Sequence, residues 1–226
     1  MTDGAVLLAL DTSTPIGSVA VGGTEPLAEI LLGRNTRHSE TLLPAVQYAL
    51  RTAGITQRDL AGIVVAGGPG SFTGLRIAGA TGKAMARALG IPLYSYSGLL
   101  ALAAASSAQP VCALLDARRN EVYAGCYDVS VGGLTTRFEP AAVDIEALLA
   151  DPRVSGAVFV GEGAIRHEAT IRAAGFNVAT AAAGVPHAAA LLWLAATHPE
   201  FGRVASLHDW EPEYLRESGA ERSLRA

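Results

Sequence analysis

The chain has 226 residues, half of them hydrophobic and 17% charged, with a formal net charge of −4; that length suggests one to two domains, with a core burying roughly 70% of the unfolded surface. The acidic balance argues against binding nucleic acid through bulk electrostatics, so any such role needs a local basic face or a partner. No run approaches the roughly 20 apolar residues of a membrane span, Met1-Thr2-Asp3-Gly4 lacks the positive start of a secretory signal, and Cys112 and Cys126, with no CxxC or HExxH pattern, fit a reduced cytoplasmic protein without a legible zinc site.

In chain order, Val6–Thr12, Gly17–Val21 and Leu27–Leu32 are apolar runs separated by turn signals, and they predict three strands joined by tight turns. A helix is predicted over His38–Ala53, with Leu42, Val46, Ala49 and Ala53 on one face, Ser39 as N-cap and Gly54 as stop. Pro44 removes one hydrogen bond and is expected to distort its first turn. Next come a buried strand at Ile63–Ala66, a helix over Ser71–Leu89 ended by Gly90, a strand at Pro92–Ser95 and an alanine-rich helix over Ser97–Ser107.

Near residue 110 the pattern restarts. Val111–Asp116, a turn at Ala117–Asn120 and Glu121–Tyr127 mirror the first strand, its turn and the second strand. A helix near Ile145–Leu149, a strand at Ala157–Val160 and a helix over His187–Ala196 follow, then a polar tail over Glu217–Ala226 expected to be disordered. Two βββαβα-type halves, the second eroded, indicate an internal duplication, with lobes at 1–108 and 109–216.

Residues 67–83, GGPGSFTGLRIAGATGK, place a glycine turn between a strand and a helix. The stretch fails as a P-loop, because Gly82-Lys83 is followed by Ala84 in mid-helix. It fails as a dinucleotide fingerprint, because Gly74 comes one residue late, and as a nucleophile elbow, because Ser71 directly follows Gly70. Two readings stay open: a helix N-terminus favourable to an anion, or a turn needing positive φ. Gly74, Ala78, Gly82 and Ala86 form a smooth face for close approach of another backbone, either a partner helix or the protein's own sheet. Arg76, Lys83 and Arg87 line a different face, read either as solvated or as a site for an acidic partner or phosphate backbone.

Asp11, Thr12 and Ser13 end the first strand. Proteins that fold ATP between two duplicated domains place there an Asp for metal-bound water and hydroxyls for phosphate, since Mg²⁺ prefers oxygen ligands. Here Ser13 stands where such turns usually carry glycine, and a self-satisfying Asp/Thr turn is the competing reading. The five histidines are scattered, with none placed to close a metal site.

LALDTSTPIGSVAV (8–21), RHSETLLPAV (37–46), GGPGSFTGLRIA (67–78), DARRNEVYAG (116–125) and EPEYLR (211–216) together resemble the TsaB (YeaZ) family, with GPGSFTGLR the most specific segment. The resemblance implies an α/β fold of duplicated actin-like/Hsp70-like (ASKHA, RNase H-like) lobes, the second reduced. It implies a non-catalytic subunit that binds and activates a TsaD-like transferase forming N6-threonylcarbamoyladenosine at position 37 of tRNAs reading codons that begin with A. A TsaE-like ATPase belongs to that complex, tRNA is met through it, and a homodimer of the free chain stays open. Laid on the transferase's H-x-x-x-H helix, Gly98 and Leu102 stand where its metal-binding histidines would, and neither side chain can ligate a metal. The family pattern implies no cofactor and no metal. It assigns the partner interface to the first helix pair, at His38, Glu40, Leu42, Leu43, Val46, Gly74, Arg76, Ile77, Ala78 and Lys83. The competing classes are a stand-alone ATP-dependent enzyme of the same fold, a glycoprotease-type peptidase, and a direct tRNA binder using Arg76, Lys83 and Arg87 with Arg118 and Arg119.

Overall fold

The computed structural model describes residues 4–33, 36–117, 121–180, 184–185 and 187–215. The tail at 217–226 and the turn residues Arg118, Arg119 and Asn120 lie outside the described residues.

Two five-stranded sheets carry the chain. The first joins β1 (Leu7–Asp11), β2 (Gly17–Gly22), β3 (Pro26–Leu32), β4 (Gly62–Ala66) and β5 (Leu93–Tyr96) in the order β3-β2-β1-β4-β5. The second joins β6 (Val111–Asp116), β7 (Glu121–Ser130), β8 (Gly133–Asp144), β9 (Val158–Val160) and β10 (Asn177–Val178) in the order β10-β9-β6-β7-β8. In each, the first three strands run antiparallel and the last two run parallel to the first. Strand for strand the sheets match, so the duplication is a property of the topology. β1 and β4 are buried on both faces, which is why their sequences are unbroken apolar runs rather than alternating ones.

Three cores hold five layers together. On the outer face of the first sheet, Leu8, Leu10, Ile63 and Val65 meet α1 (His38–Thr52) and α2 (Phe72–Leu89). On its inner face, Leu7, Ala9, Ala20 and Val64 share a core with Val111, Ala113 and Leu115 of the second sheet. Two helices, α3 (Gly98–Ala104) and α7 (Ala188–Thr197), fill that central layer. Outside the second sheet, Cys112, Leu114 and Phe159 pack with α4 (Ile145–Leu149), α5 (Glu162–Arg166) and α6 (Glu168–Ala173).

The central helices are exchanged. α3, made by the first half, lies on β6 and β7, and α7, made by the second, lies on β1 and β2. Glu29 on edge strand β3 fixes the exchange: its carboxylate accepts the Ala189 N–H at 3.0 Å and meets His187 Nδ1 at 3.2 Å. After α8 (Pro199–Gly202) the chain stays with the first half, where the Val204 N–H donates to the Leu93 carbonyl at 3.0 Å. A boundary at residue 109 therefore divides the sheets but not the packing.

Other expectations shift locally. Arg37, not Ser39, is the N-cap of α1, and it offers no side-chain cap bond. The helix runs through Pro44. Ser71 does cap α2, with its Oγ accepting the Gly74 N–H at 3.3 Å, and Gly90 ends that helix in the left-handed region at φ 68°. β8, α5, α6, α8 and β10 were not predicted. Among the described residues no helix is long and apolar enough to cross a membrane.

Candidate functional site

The glycine stretch closes on the turn between β1 and β2. The Ser71 N–H donates to the Ser13 carbonyl at 2.7 Å, and the Thr12 hydroxyl donates to the Gly74 carbonyl at 2.7 Å. A Cβ on Gly74 would stand 1.8 Å from the Thr12 carbonyl oxygen, and one on Gly70 would stand 2.5 Å from that of Ser13. Backbone approach, not a bound anion, is what requires glycine at these two positions. Asp11, Thr12, Ser13 and Thr14 are buried as a result. Asp11 accepts the Ser13 N–H at 2.8 Å, and burial raises its pKa against the lowering effects of Ser13 and His38. The sequence-predicted phosphate candidates are thus brought together, with the Asp11 carboxylate and the Thr12 hydroxyl turned onto the chain itself.

The small-residue stripe of α2 is core. Ala78 and Ala86 have no exposed surface, and a Cβ on Gly82 would meet Val65 Cγ1 at 2.5 Å. The smooth face meets the protein's own first sheet, so Gly74 and Ala78 are unavailable to a partner helix. Leu42 and Val46, 1% exposed each, are likewise core. What α1 and α2 turn outward is different. Leu43 is 54% exposed and Tyr48 57%, with the Arg51 guanidinium 5.8 Å over the Tyr48 ring. On α2, Ile77 is half-buried beside exposed Thr73, Ala80 and Ala84. His38 braces the β1–β2 turn, its Nε2 lying 3.1 Å from the Thr14 carbonyl, and Glu40 pairs with Arg37 at 3.0 Å in solvent.

Two of the three cations of the stripe are engaged within the chain, while Arg87 is exposed. Lys83 Nζ donates to the carbonyls of His208 at 3.2 Å and Trp210 at 2.8 Å. Arg76 lies 3.9 Å over the Phe72 ring and donates to the Tyr214 hydroxyl at 3.2 Å. Trp210 comes within 3.2 Å of where a Cβ on Gly79 would sit, and the Glu213 N–H donates to the Gly67 carbonyl at 2.7 Å. Residues 203–215 therefore form a strap that binds α2 and the glycine stretch. Sequence reasoning missed this use of Arg76 and Lys83. The signal was Trp210 and Tyr214 flanking Pro212 near the chain's end, apolar rings that need a surface to cover.

Gly98 and Leu102 are buried on α3 without a ligating atom. Among the described residues no group of three or more His, Cys, Asp or Glu is placed to hold a metal ion. A cleft of about 340 Å³ lies between the β1–β2 turn and the second half, lined by Thr14, Ile16, Leu115, Glu162 and Arg166. Arg166 is pinned there to Asp116 at 2.5 Å.

The chain is similar in sequence and fold to known proteins. The family model described as TsaD, tRNA N6-adenosine threonylcarbamoyltransferase, matches residues 32–223. The Bacillus subtilis tRNA threonylcarbamoyladenosine biosynthesis protein TsaB is 32% identical over 95% of this chain and 96% of its own. Its Escherichia coli namesake is 30% identical over 96% and 97%. A crystal structure of a Pseudomonas aeruginosa protein, described as similar to peptidase YEAZ, superposes with a TM-score of 0.80 at 31% identity, covering 94% of this chain and 100% of that one. Two matched sheets around exchanged helices, the GPGSFTGLR loop closed on the DTST turn, and end-to-end similarity to TsaB proteins place this chain in the TsaB (YeaZ) family.

Proposed function

We propose that this chain is a non-catalytic cytoplasmic subunit in the formation of N6-threonylcarbamoyladenosine in tRNA, where it binds and activates a TsaD-like transferase. A TsaE-like ATPase works in the same complex, and tRNA is reached only through it. One observation carries the reading: the glycine loop gives its Ser71 N–H, its Gly74 carbonyl and the space beside Gly70 and Gly74 to Ser13 and Thr12 of the same chain. The outer faces of α1 and α2 support the partner role. They offer Leu43 and Tyr48 beside the low ridge of Ile77, Ala80 and Ala84, a surface that another helix pair can approach closely.

The test is reconstitution with purified TsaD-like and TsaE-like proteins and tRNA, scoring the modified nucleoside. Activity is expected with all components and none from this chain alone; turnover by the single chain overturns the reading. Leu43→Glu should weaken binding of the transferase by about 1–3 kcal/mol, roughly tenfold to a hundredfold, with the melting temperature unchanged. The competing reading, a stand-alone ATP-dependent enzyme, rests on the cleft beside Asp116 and requires ATP binding by the purified chain. Calorimetric titration with ATP is expected to give no heat of binding.

A further inference from the structure

Cys112 and Cys126 take no part in the surfaces above. They stand directly opposite each other where β6 pairs with β7, both free, both without exposed surface, on the face that meets the outer core of the second sheet. Directly opposed residues of an antiparallel pair hold their Cβ atoms about 4.5–5.5 Å apart, and a disulfide asks for roughly 3.5–4.5 Å. An approach of about 1 Å between the strands closes that gap. We propose that the two thiols are a cross-strand dithiol that a hydroperoxide converts to an intramolecular disulfide and a dithiol reductant restores.

The thiols are already differentiated. The neighbouring Cys112 thiol draws the Cys126 thiol below its usual range against its burial, with help from the Arg137 guanidinium, while the Cys126 neighbour and burial push Cys112 well up. The thiolate is the nucleophile, so Cys126 attacks and Cys112 resolves. Access follows from the sheet. The register between β7 and β8 shifts on both sides of Cys126, and β8 is the edge strand, so the ladder is weakest beside this sulfur. Opening of the edge exposes Cys126 without unfolding the core.

In the first step the Cys126 thiolate attacks one oxygen of hydrogen peroxide. The O–O bond breaks, a sulfenic acid forms, and the departing hydroxide takes a proton to become water. In the second, the Cys112 sulfur attacks the sulfenic sulfur. The S–S bond forms as the S–O bond breaks, and the released hydroxide takes the Cys112 proton to leave as a second water. Two thiols and one peroxide give one disulfide and two waters.

The full native chain, treated with millimolar hydrogen peroxide, quenched in denaturant with an alkylating agent and read by mass spectrometry, tests this. The expected result is loss of both alkylatable thiols in a monomer lighter by two hydrogens, a peptide linking Cys112 to Cys126, and full recovery with dithiothreitol. Cys112→Ala should stop at a Cys126 sulfenic acid trapped by dimedone, and Cys126→Ala should leave Cys112 unreactive. Should either variant fail to fold, the wild-type experiment decides alone. Retention of both thiols in the native chain while the urea-unfolded chain oxidises overturns the proposal, as does a disulfide formed only between chains.

Discussion

Ala78 has no exposed surface and sits where α2 rests on the first sheet. Ala78→Leu forces a larger side chain into a filled contact, at about 1–3 kcal/mol. For a chain of this size that lowers the melting temperature by roughly 2–4 °C per kcal/mol. Partner affinity of the folded protein should stay unchanged, because the face is internal; a titration beside a melt separates the two effects. Gly74→Ala should cost more than Ala78→Leu even though alanine is the better helix former by about 1 kcal/mol. The added atom meets a backbone carbonyl rather than a flexible side chain. Asp11 makes the residue scale testable by pH. Burial raises its folded-state pKa above the ordinary 3.8, so the folded chain binds that proton more tightly than the unfolded one. Stability then declines as pH rises from 3.8 through the folded-state pKa, and the cost is complete above it. Asp11→Asn keeps an acceptor for the Ser13 N–H and removes the buried charge. It should melt higher than the parent at neutral pH, with the difference shrinking as pH falls toward 4, in melts across a pH series.

The strap at 203–215 is the element whose loss is easiest to localise. Lys83→Met keeps the length of the stem but removes both hydrogen bonds to strap carbonyls, at about 1–3 kcal/mol. Hydrogen exchange should quicken at the Glu213 N–H and along the strap and stay unchanged in α1; uniform quickening would mean that the strap is no separate unit. The elements the sequence made legible share a physical trait. β1, β4 and β6 are central strands whose two buried faces demand unbroken apolar runs, and α2 has both a serine cap and a glycine stop. β8 was illegible because an edge strand tolerates Pro140 and need bury only part of each face. The strap has no period at all. The small-residue stripe was legible as a place of close approach, but smoothness does not say what approaches. Only the sheet beneath it decides that.

At the scale of the whole molecule, the duplication could be read from the recurrence of strand, turn and strand, but the exchange of α3 and α7 could not. One signal did exist. Ala188–Thr197 reads AAALLWLAAT, apolar on every side, as befits a helix covered on both faces. Glu29 is the joint of this arrangement, and its carboxylate acts as a cap for α7 supplied from another element. Glu29→Ala should therefore destabilise the chain by about 1–2 kcal/mol, like loss of an N-cap, and Glu29→Gln, which keeps the acceptor oxygen, by less. Thermal melts of the two variants rank them; equal losses would show that charge alone matters at this position.

The exchange also sets a schedule for synthesis. When the ribosome has released residues 1–108, the first sheet can assemble, yet its inner face, with Leu7, Ala9, Ala20 and Val64, has no cover, because the helix that lies on it is encoded at 188–197. The nascent chain must carry that open apolar surface through translation of nearly the whole second half, within reach of chaperones and of its neighbours on the polysome. The N-terminal half cannot mature early, because its first sheet waits for α7, a helix supplied late in the second half.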